Sequence, residues 1–376
     1  MEVIAFAQNY IVTFLLVLTV LVFVHEFGHY WVARRCGVKV EIFSIGFGKE
    51  LWGRTDKHGT RWKFSLIPLG GYVKMFGDTD EASSGVEQRT FTEAEKREAF
   101  FAKTVGQRAA IVAAGPAANY LFAILVMVFL FLLYGQPYTP PEAGEVMPNT
   151  PAAAAGIQKG DRIIEIDGVA IERFEQIRQR VMMNTGTVSA FVIKRGEQTL
   201  TLNVTPEMVE TTDHFGNTHR MPRIGIAKDG VDVMHHTPVS AFTTAVSETW
   251  RITTDSLQAL GQIISGARSS DELGGPLRIA QMSGQMVQMG WVDLVWFMAL
   301  LSISLGLINL FPIPLLDGGH LVYYAVEALR GQPLSERFQE YAARSGFALL
   351  IGIMLFATWN DLVHLQVVNV VKQLFS

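Results

Sequence analysis

The chain has 376 residues, 49% of them hydrophobic and only 18% charged, with a formal net charge of −4. That balance suits several membrane spans with a water-exposed portion, and it leaves no basic excess with which to neutralise nucleic-acid phosphates. A single cysteine, Cys36, excludes an intramolecular disulfide framework.

The first apolar segment covers about residues 4–24, and its stretch 11–24 carries no charge. No basic leader precedes it and no small-residue cleavage site follows, so it is expected to be a retained span rather than a signal peptide. It runs directly into His25-Glu26-Phe27-Gly28-His29. On a helix, positions i and i+4 share a face, so His25 and His29 can hold one zinc ion while Glu26 serves a water as general base. Chemistry that needs water is thereby placed at the edge of an apolar layer.

Residues 44–77 alternate in polarity and are rich in glycine, Gly46 and Gly48 among them. Trp62, Phe64 and Leu66 share a face at strand period, and Asp56-Lys57-His58-Gly59 suits the turn of a hairpin. Such a hairpin either offers an edge to an extended peptide or simply covers the metal site. Residues 78–98 are expected to be an acidic loop and 94–110 an interfacial helix. A second span follows at 111–134.

A Pro/Gly linker, 136–144, opens the next segment. Pro151 begins a short helix ended by Gly156, Gly160-Asp161 turns into a strand over 162–166, and Asp167-Gly168 turns again. Strands at 189–195 and 198–204 complete a pattern that resembles a PDZ domain of the bacterial protease type. A PDZ groove takes a chain terminus or a strand. The stretch 207–236 is too short for a second complete module, and His214, His219, His235 and His236 within it are expected at the surface. Residues 239–268 suit an amphipathic linker helix, and further spans are expected at 291–311 and 345–369.

Lys and Arg cluster after the first span (Arg34, Arg35, Lys39), before the second (Lys103, Arg108) and after the third (Arg330, Arg337, Arg344). The positive-inside rule then puts the N-terminus outside, 25–110 and 312–344 in the cytosol, and 135–290 outside. Asp293 and Asp361 fall near the far side from His25. Asp317 falls at the level of the pentad, within Asn309-Leu-Phe-Pro312-Ile-Pro314-Leu-Leu-Asp317-Gly318-Gly319-His320. A catalytic zinc needs a third protein ligand; oxygen is a standard choice beside two histidines, which favours Asp317 with His320 as its rival. Pro312 and Pro314 break the helix and free backbone groups to line a cavity or meet a substrate. Asn309 suits either a hydrogen bond to substrate or one between helices.

Together, the His25–His29 pentad, the Asn309–Gly319 run and the PDZ-like segment resemble the site-2 proteases, a family of intramembrane zinc metalloproteases, in their bacterial regulator-of-sigma-E type. Phe43–Gly48, Pro68–Met75, Ala114-Gly-Pro-Ala-Ala-Asn119 and Gly274-Gly-Pro276 agree with it. The resemblance implies one zinc per chain on His25, His29 and Asp317, with Glu26 activating water. It implies substrate contact at Asn309, Pro312, Pro314 and the Gly46–Gly48 loop. It also implies single-span membrane proteins as substrates, an anti-sigma factor or remnant signal peptides, in the bacterial inner membrane. Family members with two tandem PDZ modules are known; this chain shows one pattern, at about 140–206.

The fold class expected is a mainly α-helical polytopic membrane protein with about four transmembrane helices, a cytosolic-side β-hairpin and one external α+β PDZ domain. Its divisions are 1–36, 37–110, 111–135, 136–236, 237–290 and 291–376. The partners expected are the substrate, a PDZ ligand (a peptide terminus or strand) and the lipid bilayer. The non-enzymatic alternative is a membrane-tethered PDZ scaffold, for which Glu26 would have no use. An ion transporter would spread its ligands along a path instead of gathering them at one depth.

Overall fold

A computed structural model describes residues 2–78, 91–184, 186–212, 218–228, 230, 232–266 and 274–364. It forms two compact units, 1–130 with 238–376, and 131–237.

Among the described residues of the first unit, four helices are long and apolar enough to cross a membrane: α1 (Glu2–Arg35), α3 (Val105–Leu133), α8 (Trp291–Asn309) and α10 (Glu336–His364). The first does not stop where its apolar run stops. It continues unbroken through the pentad to Arg34 and Arg35, whose charges suit a helix C-terminus. Val17 and Leu21 of α1 pack with Met298 of α8 and Phe122 of α3. The last span begins nine residues earlier than the apolar run suggests, and residues 365–369 lie outside those described.

The interfacial helix expected over 94–110 is two helices. Thr92 and Glu95 form a capping box that starts α2 (Glu93–Glu98). Thr104 and Gln107 exchange the same reciprocal bonds at the start of α3. Each box satisfies otherwise orphaned N–H groups, so two starts replace one continuous helix. Most of the acidic loop expected over 78–98 lies outside the described residues.

Strands β1 (Val40–Thr55) and β2 (Arg61–Met75) form the hairpin. Its registers fold each strand back on itself. Residues 42–45 pair with 61–64 on one side and with 71–74 on the other, while 50–55 pair with 61–65. One hairpin thus makes four ribbons, in the order 50–55, 61–65, 40–45 and 71–75. Gly46 and Gly48 sit in the bend of β1 at φ +88° and +84°, values that a side chain would oppose.

The linker region expected over 237–290 holds two helices, α6 (Pro238–Ile264) and α7 (Pro276–Met289). The α7 helix lies against α1, Gly284 facing the ring of Tyr10. Its first turn is capped from the last span, where Asp361 accepts hydrogen bonds from the N–H groups of Gly275 (2.8 Å) and Arg278 (3.0 Å). A further helix, α9 (Asp317–Arg330), follows the Pro312–Pro314 break.

The second unit has its own core of Ile163, Ile166, Ile177, Phe191, Ile193 and their neighbours. Its four-stranded sheet runs β6-β5-β7-β8, with β5 (Arg162–Ile166), β6 (Val169–Ala170), β7 (Ser189–Arg195) and β8 (Gln198–Val204). Between β6 and β7 lies α5 (Phe174–Met183), which supplies Ile177 and Val181 to the core. The sequence after 206 completes this module rather than opening another. Its β11 (Ile226–Lys228) pairs with β4 (Ala143–Val146), and β12 (Asp232–Met234) with β3 (Gln136–Tyr138). His235 is exposed and His236 half-buried beside Gln136 at 3.2 Å, whereas the side chains of His214 and His219 lie outside the described residues.

Asp161 is buried in this unit and accepts two hydrogen bonds from Arg195, each 2.7 Å, and one from the Gln158 N–H. Burial alone would raise its carboxyl; those bonds outweigh it and hold the group below the ordinary carboxylate range. A carboxylate depressed in the folded state stabilises the fold above its unfolded pKa, and that contribution is lost as pH falls through the folded value. The excised 131–237 unit should therefore lose thermal stability as pH drops below about 4. In Asp161→Asn that acid-side slope should be shallower, as measured by circular dichroism melting.

Candidate active site

The pentad sits on α1 one helical turn apart, and its two imidazoles meet edge to face with Nε2 atoms 3.2 Å apart. Asp317, in the first turn of α9, closes the triangle. Its Oδ2 lies 3.2 Å from His25 Nε2 and its Oδ1 3.6 Å from His29 Nε2. One donor atom from each of the three falls within 4.8 Å of the others. His320 lines the same cleft without joining the cluster.

Several observations fit these residues to a metal ion. Ligands of a tetrahedral zinc at ~2.0–2.1 Å stand ~3.3 Å apart, close to the imidazole separation. His29 Nδ1 donates to the Ile111 carbonyl at 2.9 Å, which leaves Nε2 with its lone pair facing the cluster. The Asp317 Oδ2 atom is buried without a hydrogen-bond donor, and a buried carboxylate oxygen of that kind suits a cation.

Glu26 lies on α1 beside the cluster and accepts from the Val73 backbone N–H of ribbon 71–75. The cleft, about 320 Å³, is lined by His25, Glu26 and His29, by Tyr72, Val73 and Met75 of that ribbon, by Asn309 at the end of α8, and by Asp317, His320 and Tyr324 of α9. Thus Asn309 faces the site. Pro312 and Pro314 do not line the cleft; they shape the α8–α9 break, and Pro314 packs against Gly346 of α10. Gly46 and Gly48 also stand outside the lining, in the bend of β1.

Two residues on α3 belong to the site although the pentad logic does not find them. A Cβ at Gly115 would lie 2.2 Å from His29 Nε2 and 2.8 Å from His25 Cε1, so only glycine lets α3 approach both rings. One turn on, Asn119 is fully buried with its amide 3.1 Å from His25 Nδ1 and its Oδ1 unpartnered. A 180° turn of the amide sets Oδ1 to accept the Nδ1 proton, freeing Nε2 for a metal. Its backbone carbonyl accepts from Ser302 of α8 at 2.9 Å, which ties the two spans together. The sequence signal was an asparagine within an apolar span, where such groups need a partner. On the far side, Arg108 of α3 pairs with Glu327 at 2.6 Å and covers the Tyr324 ring, anchoring the helix that carries Asp317.

The profile of peptidase family M50 matches residues 13–353. The chain belongs to that family. It is a multi-pass membrane peptidase of the site-2 protease class, and its relatives are named as zinc metalloproteases. One, from Agrobacterium fabrum, is 46% identical over 95% of this chain and 96% of its own length. Metalloprotease MmpA of Caulobacter vibrioides is 37% identical, covering 97% and 98%. The regulator of sigma-E protease of Salmonella typhimurium is 34% identical, covering 93% and 97%. That last alignment spans 445 positions, so the Salmonella protein carries sequence that this chain lacks. Among solved structures, a PDZ domain of an SdrC-like protein from Listeria monocytogenes is 24% identical over 25% of this chain and 88% of its own, with a TM-score of 0.19.

Replacing Asn119 by Ala should weaken zinc binding by about 10–100-fold while the spans still assemble. Gly115→Val should abolish it, as measured by chelator competition on the purified protein.

Proposed function

We propose that this chain cleaves a peptide bond in or beside the transmembrane segment of single-span membrane proteins, with one zinc held by His25, His29 and Asp317. The observation that carries this is the meeting of those donors with Glu26 on an apolar helix, beside the edge ribbon 71–75. A bound zinc ion supplies Lewis acidity to the scissile carbonyl and to the attacking water. Glu26 takes the water's proton and returns it to the leaving amine. The outer edge of ribbon 71–75 offers main-chain groups to an unwound substrate, and Asn309 supplies an amide across the cleft.

A transmembrane helix hides its amides, so the substrate must unwind before it can lie along that edge. The second unit, as a PDZ-like module, takes a peptide terminus or strand on the outer side. The Lys and Arg distribution supports a bacterial inner-membrane location with the N-terminus outside and the cleft near the cytosolic face. Similarity to a regulator of sigma-E protease supports an anti-sigma factor, trimmed by a first external cleavage, as substrate. Remnant signal peptides fit the same cleft.

Cleavage of a tagged, externally trimmed single-span substrate in reconstituted membranes tests the assignment. Glu26→Gln should reduce the rate by at least about 100-fold with zinc still bound. Equal cleavage by both proteins would remove Glu26 from the mechanism, and no cleavage of any substrate by either would favour the scaffold. A substrate span rebuilt as uninterrupted leucine should resist cutting, because leucine strongly favours helix. Equal rates for both spans would show that unwinding does not limit the reaction.

A further inference from the structure

A second concavity, about 570 Å³, lies on the hairpin away from the metal cluster. Its origin is geometric. Along the sheet face that meets α1, Trp52, Phe64, Ile45 and Gly71 are cross-strand neighbours, as are Arg54, Trp62, Phe43 and Val73. Gly71 rests on Val22 and Glu26, Phe43 on Phe23, and Trp62 on Tyr30. The four ribbons are wider than the helix beneath them. Ribbon 50–55 therefore overhangs, and Trp52 remains 61% exposed and Phe64 45% exposed above Phe23.

The groove has an apolar end and a cationic end. Phe23, Trp52 and Phe64 wall the part toward the middle of α1. Arg54 and Lys57 flank the part toward its basic C-terminal end, where Arg35 also lies over the Trp31 ring at 4.1 Å. The acid nearest them, Asp56, is already committed. Its Oδ1 accepts from the His58 and Thr60 N–H groups and its Oδ2 from the Trp62 indole and the Tyr30 hydroxyl. Among the described residues no carboxylate lies within 4.0 Å of Arg54 or Lys57.

We propose that this groove binds one anionic phospholipid, its phosphate against Arg54 and Lys57 and an acyl chain along Phe23, Trp52 and Phe64. Two features choose a lipid over other amphiphiles. The charge at the rim is complementary to a phosphate, and the head-to-tail direction along α1 is that of a lipid in the adjoining leaflet. The volume falls in the ~300–1,000 Å³ range of small-molecule sites. Because the same sheet carries ribbon 71–75 at its other edge, an occupied groove would brace the wall of the active-site cleft from behind.

The test uses the full chain in phosphatidylcholine vesicles, with a fixed minor fraction of either brominated phosphatidylglycerol or brominated phosphatidylcholine. Bromine quenches only nearby indoles, and Trp52 is one of seven tryptophans. Brominated phosphatidylglycerol should quench more than its zwitterionic counterpart; the excess should fall in Trp52→Phe and vanish when Trp62, the other indole of the groove, is also replaced by Phe. Arg54→Gln and Lys57→Gln should each lower the preference about fivefold. Added potassium chloride should lower it in the unaltered protein, which gives a measure independent of any variant. Equal quenching by the two lipids would overturn the proposal, as would an excess that survives the double substitution. Displacement of the excess by a single-span substrate would assign the groove to substrate instead.

Discussion

Everything in the membrane unit answers to the cost of placing a carboxylate and two imidazoles in an apolar layer. Bulk water solvates them poorly there, so each must find its partner in the protein or in a cation. The solution lies at the crossing of α1 and α3. Gly28 lets the Ala114 carbonyl approach to where a Cβ would be, and Gly115 does the same for the two rings. That closeness brings the Ile111 carbonyl to one imidazole and the Asn119 amide to the other. Asp317 arrives from the opposite side on a helix that begins with its own residue, held by the Arg108–Glu327 pair. Remove the glycines, and the histidines lose their orienting partners along with their space.

Much of this was legible because its physics is local. His25 and His29 are one turn apart, so their shared face follows from helix geometry alone. Strands β5, β7 and β8 fell at 162–166, 189–195 and 198–204 as their patterns and the Gly-containing turns between them require. That Asp317 rather than His320 stands beside the two imidazoles needed tertiary information, since Gly318 and Gly319 leave the direction of the following side chain open. The contribution of Asn119 was equally hidden, since its partner His25 is 94 residues away. Polarity alternation revealed a hairpin but not its folding back into four ribbons. That arises from the positive φ at Gly46 and Gly48, and a glycine in a strand suggests a bulge before it suggests a reversal.

Folding back has a consequence for catalysis. Ribbon 71–75 carries the wall of the cleft, yet among the described residues its only neighbour in the sheet is ribbon 40–45, which continues directly from the helix that bears the histidines. Glu26 is held from both sides of that connection, by its own helix and by the Val73 N–H. Glu26, the proposed base, and the edge proposed to receive the substrate are thus kept in register by a short stretch of chain between α1 and the sheet.

The strand pairs β3–β12 and β4–β11 close the second unit where the chain enters and leaves it. Its first and last residues therefore lie side by side, like the two ends of a loop drawn shut. Such a segment is a detachable insert: a copy can be added or removed at that doorway without altering the path of the spans on either side. Gly28 and Gly115 allow no such freedom, since a side chain at either would run into a backbone carbonyl or an imidazole ring.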